Sequence, residues 1–405
     1  MGFEEIFSFT LILFLAIYGF IITAFATSLF YIRKSAIQQI STSIHHPINI
    51  SFNNHIPQSS NFQIIIVSVI IAVRNEASNI LRLLEEMRTQ DFRDVQMEVI
   101  ISDDYSDDHT MEFAGRFARQ FPGFPLVLIS SSLAPQGAYG KKKAIERAVK
   151  LARGEVLLFT DADTFHGSSW ITSMVKYFKN ESQHMVLGPV VFCNEKNLLQ
   201  KIQTLEFLGL MATTAGSAGL GYPVMCNGAN LAYRRHAFHE TGGFSGNQQY
   251  GSGDDQFMMS SIRKHYGKSA IYFNFDPLAI VSTIPESTLT GFFHQRIRWV
   301  SKSRGYSDRA VLLTGLVTYL LHVLLLTGFF LGLWNSRILI LSLVLWLVKI
   351  LLEYPMVGIM LRFSAKQEFC GYYFIAQVFQ LIYVPLAGIL GFILPYRWKG
   401  RSGGR

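Results

Sequence analysis

The chain has 405 residues, of which 50% are hydrophobic and 16% are charged, with a formal net charge of +8 and three widely spaced cysteines. Its mean hydropathy of +0.26 is too high for an ordinary soluble enzyme, and the cysteines offer neither a disulfide framework nor a metal-ligand spacing. Many basic residues lie beside apolar runs, where lipid headgroups explain them, and the absence of a nucleic-acid-binding motif leads us to expect no nucleic acid partner.

An uncharged apolar run at 10–32 is long enough to cross a bilayer core of about 30 Å. A cleaved signal peptide is the alternative, but such a peptide has basic residues before a shorter apolar run. This run follows two acidic residues and precedes Arg33 and Lys34. We therefore expect a retained transmembrane helix, followed by a linker over the Ser-, Asn- and Gln-rich segment 33–62.

From residue 63 the pattern changes to strands that alternate with helices. The β-branched run 64–73 is typical of a strand buried on both faces of a parallel sheet. Further strands are predicted at 97–102, 125–130 and 155–160, and helices at 75–90, 107–120 and 141–152. This alternation predicts an α/β domain with a mostly parallel sheet, which we place at 63–290.

Polar residues follow three of these strands, at the sheet edge where such domains bind ligands. They are Arg74, Asn75 and Glu76 after the first strand, Asp103 and Asp104 after the second, and Asp161 and Asp163 after the fourth. Paired carboxylates of this kind suit Mg²⁺ or Mn²⁺ with a phosphate-bearing substrate, although Asp also commonly caps helices. Lys141 and Lys142 at a helix start would bind phosphate charge; the alternative is a solvated helix face.

A second acidic pair, Asp254 and Asp255, lies at a loop-to-helix junction. The pair is either a helix cap or the site of a general base, with the pKa of one carboxyl tuned by the other. Upstream, the small residues around Gly228 allow either close approach of a ligand or tight packing.

An amphipathic interface helix is predicted at 291–306. One face carries Gln295, Arg298, Trp299 and Lys302, and a neighbouring apolar stripe of Phe293, Ile297 and Val300 would lie in the interface. A membrane anchor needs basic and aromatic residues here, but it does not need them in this order.

Three more apolar stretches, at 310–334, 338–360 and 371–394, are long enough to span a membrane, and a basic tail follows at 395–405. Basic residues at 33–34 and 296–304 place the α/β domain in the cytoplasm, with the bacterial inner membrane as the expected location. Three spans would then leave the basic tail outside, against the positive-inside tendency. Either one stretch is re-entrant or interfacial, or the tail is an exception.

Four motifs occur in a fixed order: Asp103-Asp104, Asp161-x-Asp163, Asp254-Asp255 and Gln295-x-x-Arg298-Trp299. In this the chain resembles membrane-integrated family 2 glycosyltransferases with the GT-A fold, such as cellulose, chitin and hyaluronan synthases and the ceramide glucosyltransferase group. The resemblance covers about 64–305. The chain departs from the family pattern in having Asp254 where Glu is commoner, and Tyr105 where the family usually has glycine.

The resemblance implies an inverting enzyme that transfers a sugar from a nucleotide-diphosphate sugar, with UDP-sugar favoured, to a lipid-linked or growing polysaccharide acceptor at the membrane. It implies Asp255 as the general base, with Asp254 beside it, and Asp161 and Asp163 as ligands of the divalent metal and diphosphate. With Lys141 and Lys142 added, the expected donor site is Ala72, Arg74, Asn75, Glu76, Asp103, Asp104, Lys141, Lys142, Asp161, Gln295 and Arg298. The expected acceptor site is Cys226, Asn227, Gly228 and Trp299.

Three other hypotheses stay open. A non-processive glycolipid glucosyltransferase acting on ceramide or diacylglycerol would share every motif. A nucleotidyltransferase would use the sheet edge and the paired aspartates, but would not need Gln295, Arg298 and Trp299. A membrane scaffold is disfavoured because the apolar stretches carry few ionisable residues, chiefly His322 and the pair Lys349 and Glu353, which are spaced to neutralise each other.

Overall fold

The structure is a computed structural model of the chain. It describes residues 2–44, 64–92, 94–131, 139–248, 253–394, 396–398 and 401–403. The predicted linker lies outside the described residues from 45 onward.

The strands of the described chain are β1 (Ile65–Val73), β2 (Val95–Asp103), β3 (Leu126–Ile129), β4 (Val156–Phe159), β5 (Phe165–His166), β6 (Met185–Leu187), β7 (Val190–Phe192), β8 (Leu231–Arg234), β9 (Ile271–Phe273), β10 (Val281–Thr283), β11 (Tyr396–Trp398) and β12 (Arg401–Gly403). The helices are α1 (Phe3–Ile44), α2 (Ile80–Arg88), α3 (Thr110–Gln120), α4 (Lys141–Leu151), α5 (Trp170–Val175), α6 (Leu198–Gly219), α7 (Arg235–Glu240), α8 (Asp254–Tyr266), α9 (Leu289–Ser301), α10 (Arg309–Leu331), α11 (Ser336–Phe363) and α12 (Tyr373–Ile393).

The main sheet has the strand order β3-β2-β1-β4-β8-β6-β9. β1 runs parallel to both β2 and β4, whereas β8 is antiparallel to its neighbours β4 and β6. The predicted mostly parallel α/β sheet is confirmed. The chain order reverses direction between β1 and β4, and such a switch point opens a crevice at the carboxyl ends of the strands.

Strand register determines which residues leave the sheet together. Val73 pairs with Asp103, and the amide of Asp104 donates to the carbonyl of Val73 at 2.8 Å. The residues that follow β1 and β2 therefore emerge side by side. The core of β1, including Val67, Val69 and Ile71, is fully buried, as the β-branched run predicted.

Among the described residues, four helices are long and apolar enough to cross a membrane, namely α1, α10, α11 and the segment that contains α12. The first of these, α1, spans 42 residues, so residues 33–44 are helical rather than linker. The physical reason is that the segment contains no proline or glycine before Pro47, and its Ala36 is buried. Helices α1, α10 and α11 pack against one another.

Helix α6 was not predicted, and it joins the two parts of the molecule. It packs against α1, α11 and α12. Helices α6 and α1 approach each other closely, since a Cβ on Gly216 would lie only 2.5 Å from the carbonyl oxygen of Phe25. The glycine therefore permits this contact. The α/β domain is thus packed directly on the apolar helices through a helix of its own.

Helix α12 packs against both α9 and α10. Phe292 of α9 packs on Phe379 and Tyr383 of α12, with ring centroids 5.3 and 5.1 Å apart. Further along both helices, a Cβ on Gly391 would lie 2.5 Å from Val300. The structure thus places an apolar stretch beside the predicted interface helix, and the two alternatives for the basic tail stay predictions.

This packing shows what the predicted apolar stripe of α9 contacts. Ile297 is only 4% exposed, and Val300 lies against Gly391. The stripe therefore contacts α12, and its position at the headgroups stays a prediction.

Candidate active site

The loops that follow β1 and β2 are joined by hydrogen bonds. The guanidinium of Arg74 donates to the carbonyls of Asp104 at 2.9 Å and Tyr105 at 2.5 Å. Asn75 and Tyr105 have φ angles of 53° and 59°. This left-handed conformation is tolerated by Asn but unusual for a bulky residue. Tyr105 therefore adopts the conformation that a glycine would take at this position.

Asp103 and Asp104 have different environments, although both are buried. The carboxylate of Asp103 accepts from the Ser106 amide at 3.0 Å and from the Ser131 hydroxyl at 2.6 Å, so it supports the loop. The carboxylate of Asp104 accepts from the Gly140 amide at 2.6 Å and borders the cavity described next.

A cavity of about 840 Å³ begins at this edge of the sheet and continues toward the apolar helices. It collects the predicted site residues from widely separated parts of the chain. Those on its wall are Ala72, Arg74, Glu76, Asp104, Lys141, Asp161, Asp163, Cys226, Asn227, Gly228, Asp254, Asp255, Gln295, Arg298 and Trp299. Three other predicted donor residues, Asn75, Asp103 and Lys142, do not border it.

Lys141 connects the two acidic centres of the cavity. Its ammonium donates to Asp161 at 2.6 Å. Burial alone lowers the pKa of Lys141, but the charges of Asp161, Asp254 and Asp255 outweigh it and raise the pKa above the usual value. Lys141 is therefore a fixed positive charge beside the paired carboxylates.

Lys142 points to the other side of α4. Its ammonium donates to the carbonyl of Asn247 at 2.7 Å and lies 4.6 Å from the centre of the Phe257 ring. Burial lowers the pKa of Lys142 to about 8. Adjacent residues on a helix point in different directions, so only one of the two lysines reaches the cavity.

Asp254 and Asp255 begin α8 after Gly253, which has a φ angle of 89°. The carboxylate of Asp255 accepts from the amides of Gly228 at 3.1 Å and Gln256 at 2.8 Å, which fix its orientation. Burial raises the pKa of the Asp254 carboxyl; Lys141 opposes this shift and Asp255 adds to it.

Gly228 lies among these charges, where a Cβ would make ordinary van der Waals contacts. A Cβ at this position would lie 3.5 Å from the Cβ of Asp255, 3.6 Å from the ammonium of Lys141 and 3.7 Å from a carboxylate oxygen of Asp254. The nearby Cys226 thiol has a raised pKa because it is buried and lies near Asp255, so it stays protonated. The glycine thus borders the cavity beside the acidic pair.

The paired carboxylates fit a divalent metal that is shared with a substrate. Within the described ranges, no three His, Cys, Asp or Glu side chains come together as a complete protein site. Asp161 and Asp163 both border the cavity, and the side chain of Asp161 is 35% exposed. Mg²⁺ and its relatives commonly take one or two protein carboxylates and complete their shell with water and phosphate oxygens.

With this geometry established, family comparison identifies the chain. The model for glycosyl transferase family group 2 matches residues 156–394, more than half of the chain. The model for glycosyl transferase family 2 matches residues 68–242. The chain is a family 2 glycosyltransferase. Membership removes the nucleotidyltransferase and scaffold hypotheses.

Relatives of this glycosyltransferase include proteins of different specificity. It is 26% identical to the β-monoglucosyldiacylglycerol synthase of Trichormus variabilis, over 58% of this chain and 48% of that protein. It is 24% identical to the poly-β-1,6-N-acetyl-D-glucosamine synthase of Staphylococcus aureus, over 58% of this chain and 53% of that protein. The chain spans about half the length of these curated relatives.

One solved structure matches over most of both chains. It is a mannosyltransferase from Pyrobaculum calidifontis in complex with GDP-Man and Mn²⁺, with 17% identity and a TM-score of 0.48. The match covers 89% of this glycosyltransferase and 99% of that chain.

Arg296 is a positioning residue that the sequence analysis missed, because it was assigned to the headgroup cluster. It is 4% exposed and forms an ion pair with Glu206 of α6, which also accepts from the hydroxyl of Tyr383. Its guanidinium carbon lies 4.2 Å from the Trp299 ring and 4.5 Å from the Phe292 ring. The available signal was an arginine with aromatic residues at i−4 and i+3 on one helix face.

Arg296 also contacts the motif directly. It donates to the side-chain oxygen of Gln295 at 2.5 Å. The Arg296–Glu206–Tyr383 network therefore positions both Gln295 and Trp299 on the cavity wall, through contacts with α6 and α12.

Proposed function

We propose that this family 2 glycosyltransferase transfers a sugar, with inversion, from a nucleotide-diphosphate sugar to a hydroxyl acceptor at the membrane. The observation that carries the proposal is one cavity with three groups on its wall: the Asp161–Asp163 carboxylates, the Asp254–Asp255 pair, and the Gln295, Arg298 and Trp299 face of α9. A UDP-sugar is the favoured donor.

In this proposal the donor lies along the sheet edge. The loops at Ala72–Glu76 and Asp104 bind the nucleoside, while Lys141 and Arg298 bring positive charge to the diphosphate. Asp161 and Asp163 would bind Mg²⁺ or Mn²⁺, which when bound supplies charge stabilisation to the leaving diphosphate.

The transfer is a single displacement. The acceptor oxygen attacks the anomeric carbon while the bond from that carbon to the diphosphate oxygen breaks, and the nucleotide diphosphate leaves with the electron pair. The acceptor proton passes to Asp255, whose carboxylate is oriented by the Gly228 and Gln256 amides. Lys141 and Arg298 would stabilise charge on the leaving group.

Four apolar helices support integration of the protein into a membrane. Arg33, Lys34 and the basic cluster at 296–304 favour a cytoplasmic catalytic domain, as in a bacterial inner membrane, with lipids around the helices. The relatives' names include a lipid acceptor and a polysaccharide product, so both acceptor classes agree with family membership.

Asp255→Asn tests the proposed reaction. The amide keeps the shape and cannot accept a proton, so we expect unchanged UDP binding and a loss of transfer of about 10²- to 10⁴-fold. Binding is measured by calorimetry and transfer with radiolabelled nucleotide sugars in membranes.

Asp254→Asn is the matched comparison. We expect it to retain more transfer activity than Asp255→Asn. An active Asp255→Asn beside an inactive Asp254→Asn would move the base by one residue. Wild-type transfer by both variants would contradict the proposal.

A further inference from the structure

The cavity continues from the acidic centre into the apolar helices. Residues of α1, α10, α11 and α12 all border it, among them Ile22, Leu316, Met356 and Val384. Its wall therefore changes along its length, from charged at the sheet edge to mostly apolar between the helices, where Thr314, Thr318 and Gln380 are among the polar side chains.

Among the helices the cavity wall reaches a paired polar cluster, to which Glu353, Gln377 and Gln380 belong. Lys349 is 1% exposed and donates to Glu353 at 3.0 Å, Gln377 at 2.8 Å and Gln380 at 2.8 Å. Glu353 also accepts from Tyr18 and Gln377. These bonds connect α1, α11 and α12.

A chain leaving between these helices would have to separate the buried ion pair. Uncompensated charges are costly inside a membrane, so the cluster is poorly suited to opening at each transfer. We therefore expect the cluster to stay closed during transfer.

The other end of this apolar part opens sideways, between α10 and α12. Leu312 and Leu316 of α10 are 42% and 55% exposed, and Phe392 of α12 is 54% exposed, yet all three also border the cavity. Arg304 donates to the carbonyl of Phe392 at this mouth. These three residues are exposed on the outside of apolar helices and also border the cavity. A lipid molecule could therefore enter the cavity between them.

We infer that the acceptor is a membrane lipid with a free hydroxyl in its head, which enters through the mouth formed by Leu312, Leu316 and Phe392. This inference rests on the proposed function. The hydroxyl gives its proton to Asp255 and forms the glycosidic bond, while the hydrocarbon stays between α10 and α12. The glycolipid leaves by the same mouth after one transfer, because opening the buried cluster for a lengthening chain would be costly.

The acceptor class is tested with the full chain in vesicles of total bacterial lipid extract supplemented with diacylglycerol. The vesicles receive radiolabelled UDP- and GDP-sugars, and the products are separated by organic extraction. We expect label in the organic phase, with one sugar on each lipid. Label in a water-soluble polymer would overturn the lipid assignment and leave the proposed function standing. No transfer to either phase would overturn the proposed function itself.

The mouth is tested with Leu316→Trp and Leu312→Trp, which narrow it. Leu343→Trp is the matched control, since Leu343 is 43% exposed on α11 and lies away from the cavity. We expect the mouth variants to lose about tenfold or more of lipid glycosylation, because misplaced acceptors react slowly, with UDP binding unchanged. Equal rates in mouth and control variants would overturn the entry path.

Discussion

Asp161 and Asp163 are close in sequence but differ in their surroundings. Asp161 is paired with Lys141, whereas Asp163 is exposed at the cavity wall. If both bind a divalent ion with the donor, Asp163→Asn should weaken UDP binding in Mg²⁺ or Mn²⁺ by at least about tenfold, a loss typical even of groups that only support metal ligands.

The same variant should match the wild-type protein when a chelator removes the metal. Asp94→Asn is the control, because Asp94 is a surface carboxylate paired only loosely with Lys179 at 3.8 Å. Calorimetry of UDP binding with and without metal distinguishes the outcomes. Normal metal-dependent affinity in Asp163→Asn would remove Asp163 from the metal assignment.

Sequence was sufficient to predict which carboxylates meet, because residues after buried parallel strands must emerge at one edge. It was insufficient for side-chain direction. Asp103 and Asp104 are adjacent, yet only Asp104 borders the cavity, because the Asp103 carboxylate bonds to Ser106 and Ser131. Lys141 and Lys142 differ in the same way, because only Lys141 borders the cavity. Lys142 donates instead to the carbonyl of Asn247, which is more than a hundred residues away in the sequence.

At the level of elements, α9 is held by contacts that its own sequence does not reveal. Its apolar residues suggested contact with lipid, but α12 covers them. A stripe that faces another apolar helix and one that faces headgroups have the same periodicity. The difference depends on α12, about eighty residues later in the chain, so spacing alone was insufficient.

Removing Arg296 should destabilise the packing of α9. Arg296→Ala leaves the buried carboxylate of Glu206 without its cation, and breaking a buried pair in this way typically costs about 3–5 kcal/mol. We expect a lower unfolding midpoint in detergent. The double variant Arg296→Met with Glu206→Leu should recover most of the loss, because no buried charge is left unpaired.

Arg298→Ala is the comparison for this prediction, since Arg298 lies on the same helix and borders the cavity. We expect it to lower UDP binding with a much smaller effect on the unfolding midpoint. A wild-type midpoint for Arg296→Ala would contradict a structural role for the Arg296–Glu206 pair.

The whole molecule has one end at the α10–α11 turn and the other at the α/β domain. Asn335 before α11 donates to Glu4 near the start of α1 at 3.1 Å, so these termini lie together at the far end. Helices α1, α10 and α11 connect this far end with the α/β domain. Hydropathy predicted these helices, because it reports the length and apolarity of a segment. It does not distinguish a helix that crosses the membrane from an apolar helix that packs along a neighbouring helix.

The tail is therefore expected on the same side as the catalytic domain. α12 follows α9 along its length, and the strand β11 after it contacts α9. This placement also agrees with the positive-inside tendency, because the basic tail stays with the other basic clusters. If α12 crossed the membrane instead, the tail would lie with the α10–α11 turn.

Cysteine labelling in sealed vesicles decides between these arrangements. With Cys193, Cys226 and Cys370 replaced by serine, single cysteines are introduced as Ser402→Cys, Ser182→Cys and Trp334→Cys. Ser182 is exposed on the catalytic domain, and Trp334, which is 73% exposed, lies in the α10–α11 turn. An impermeant maleimide should label positions 402 and 182 from one side and position 334 from the other, provided that UDP binding shows the cysteine-free protein to be folded. Labelling of position 402 together with 334 would mean that α12 spans the bilayer, and the packing of α12 along α9 would then not describe the protein in its membrane.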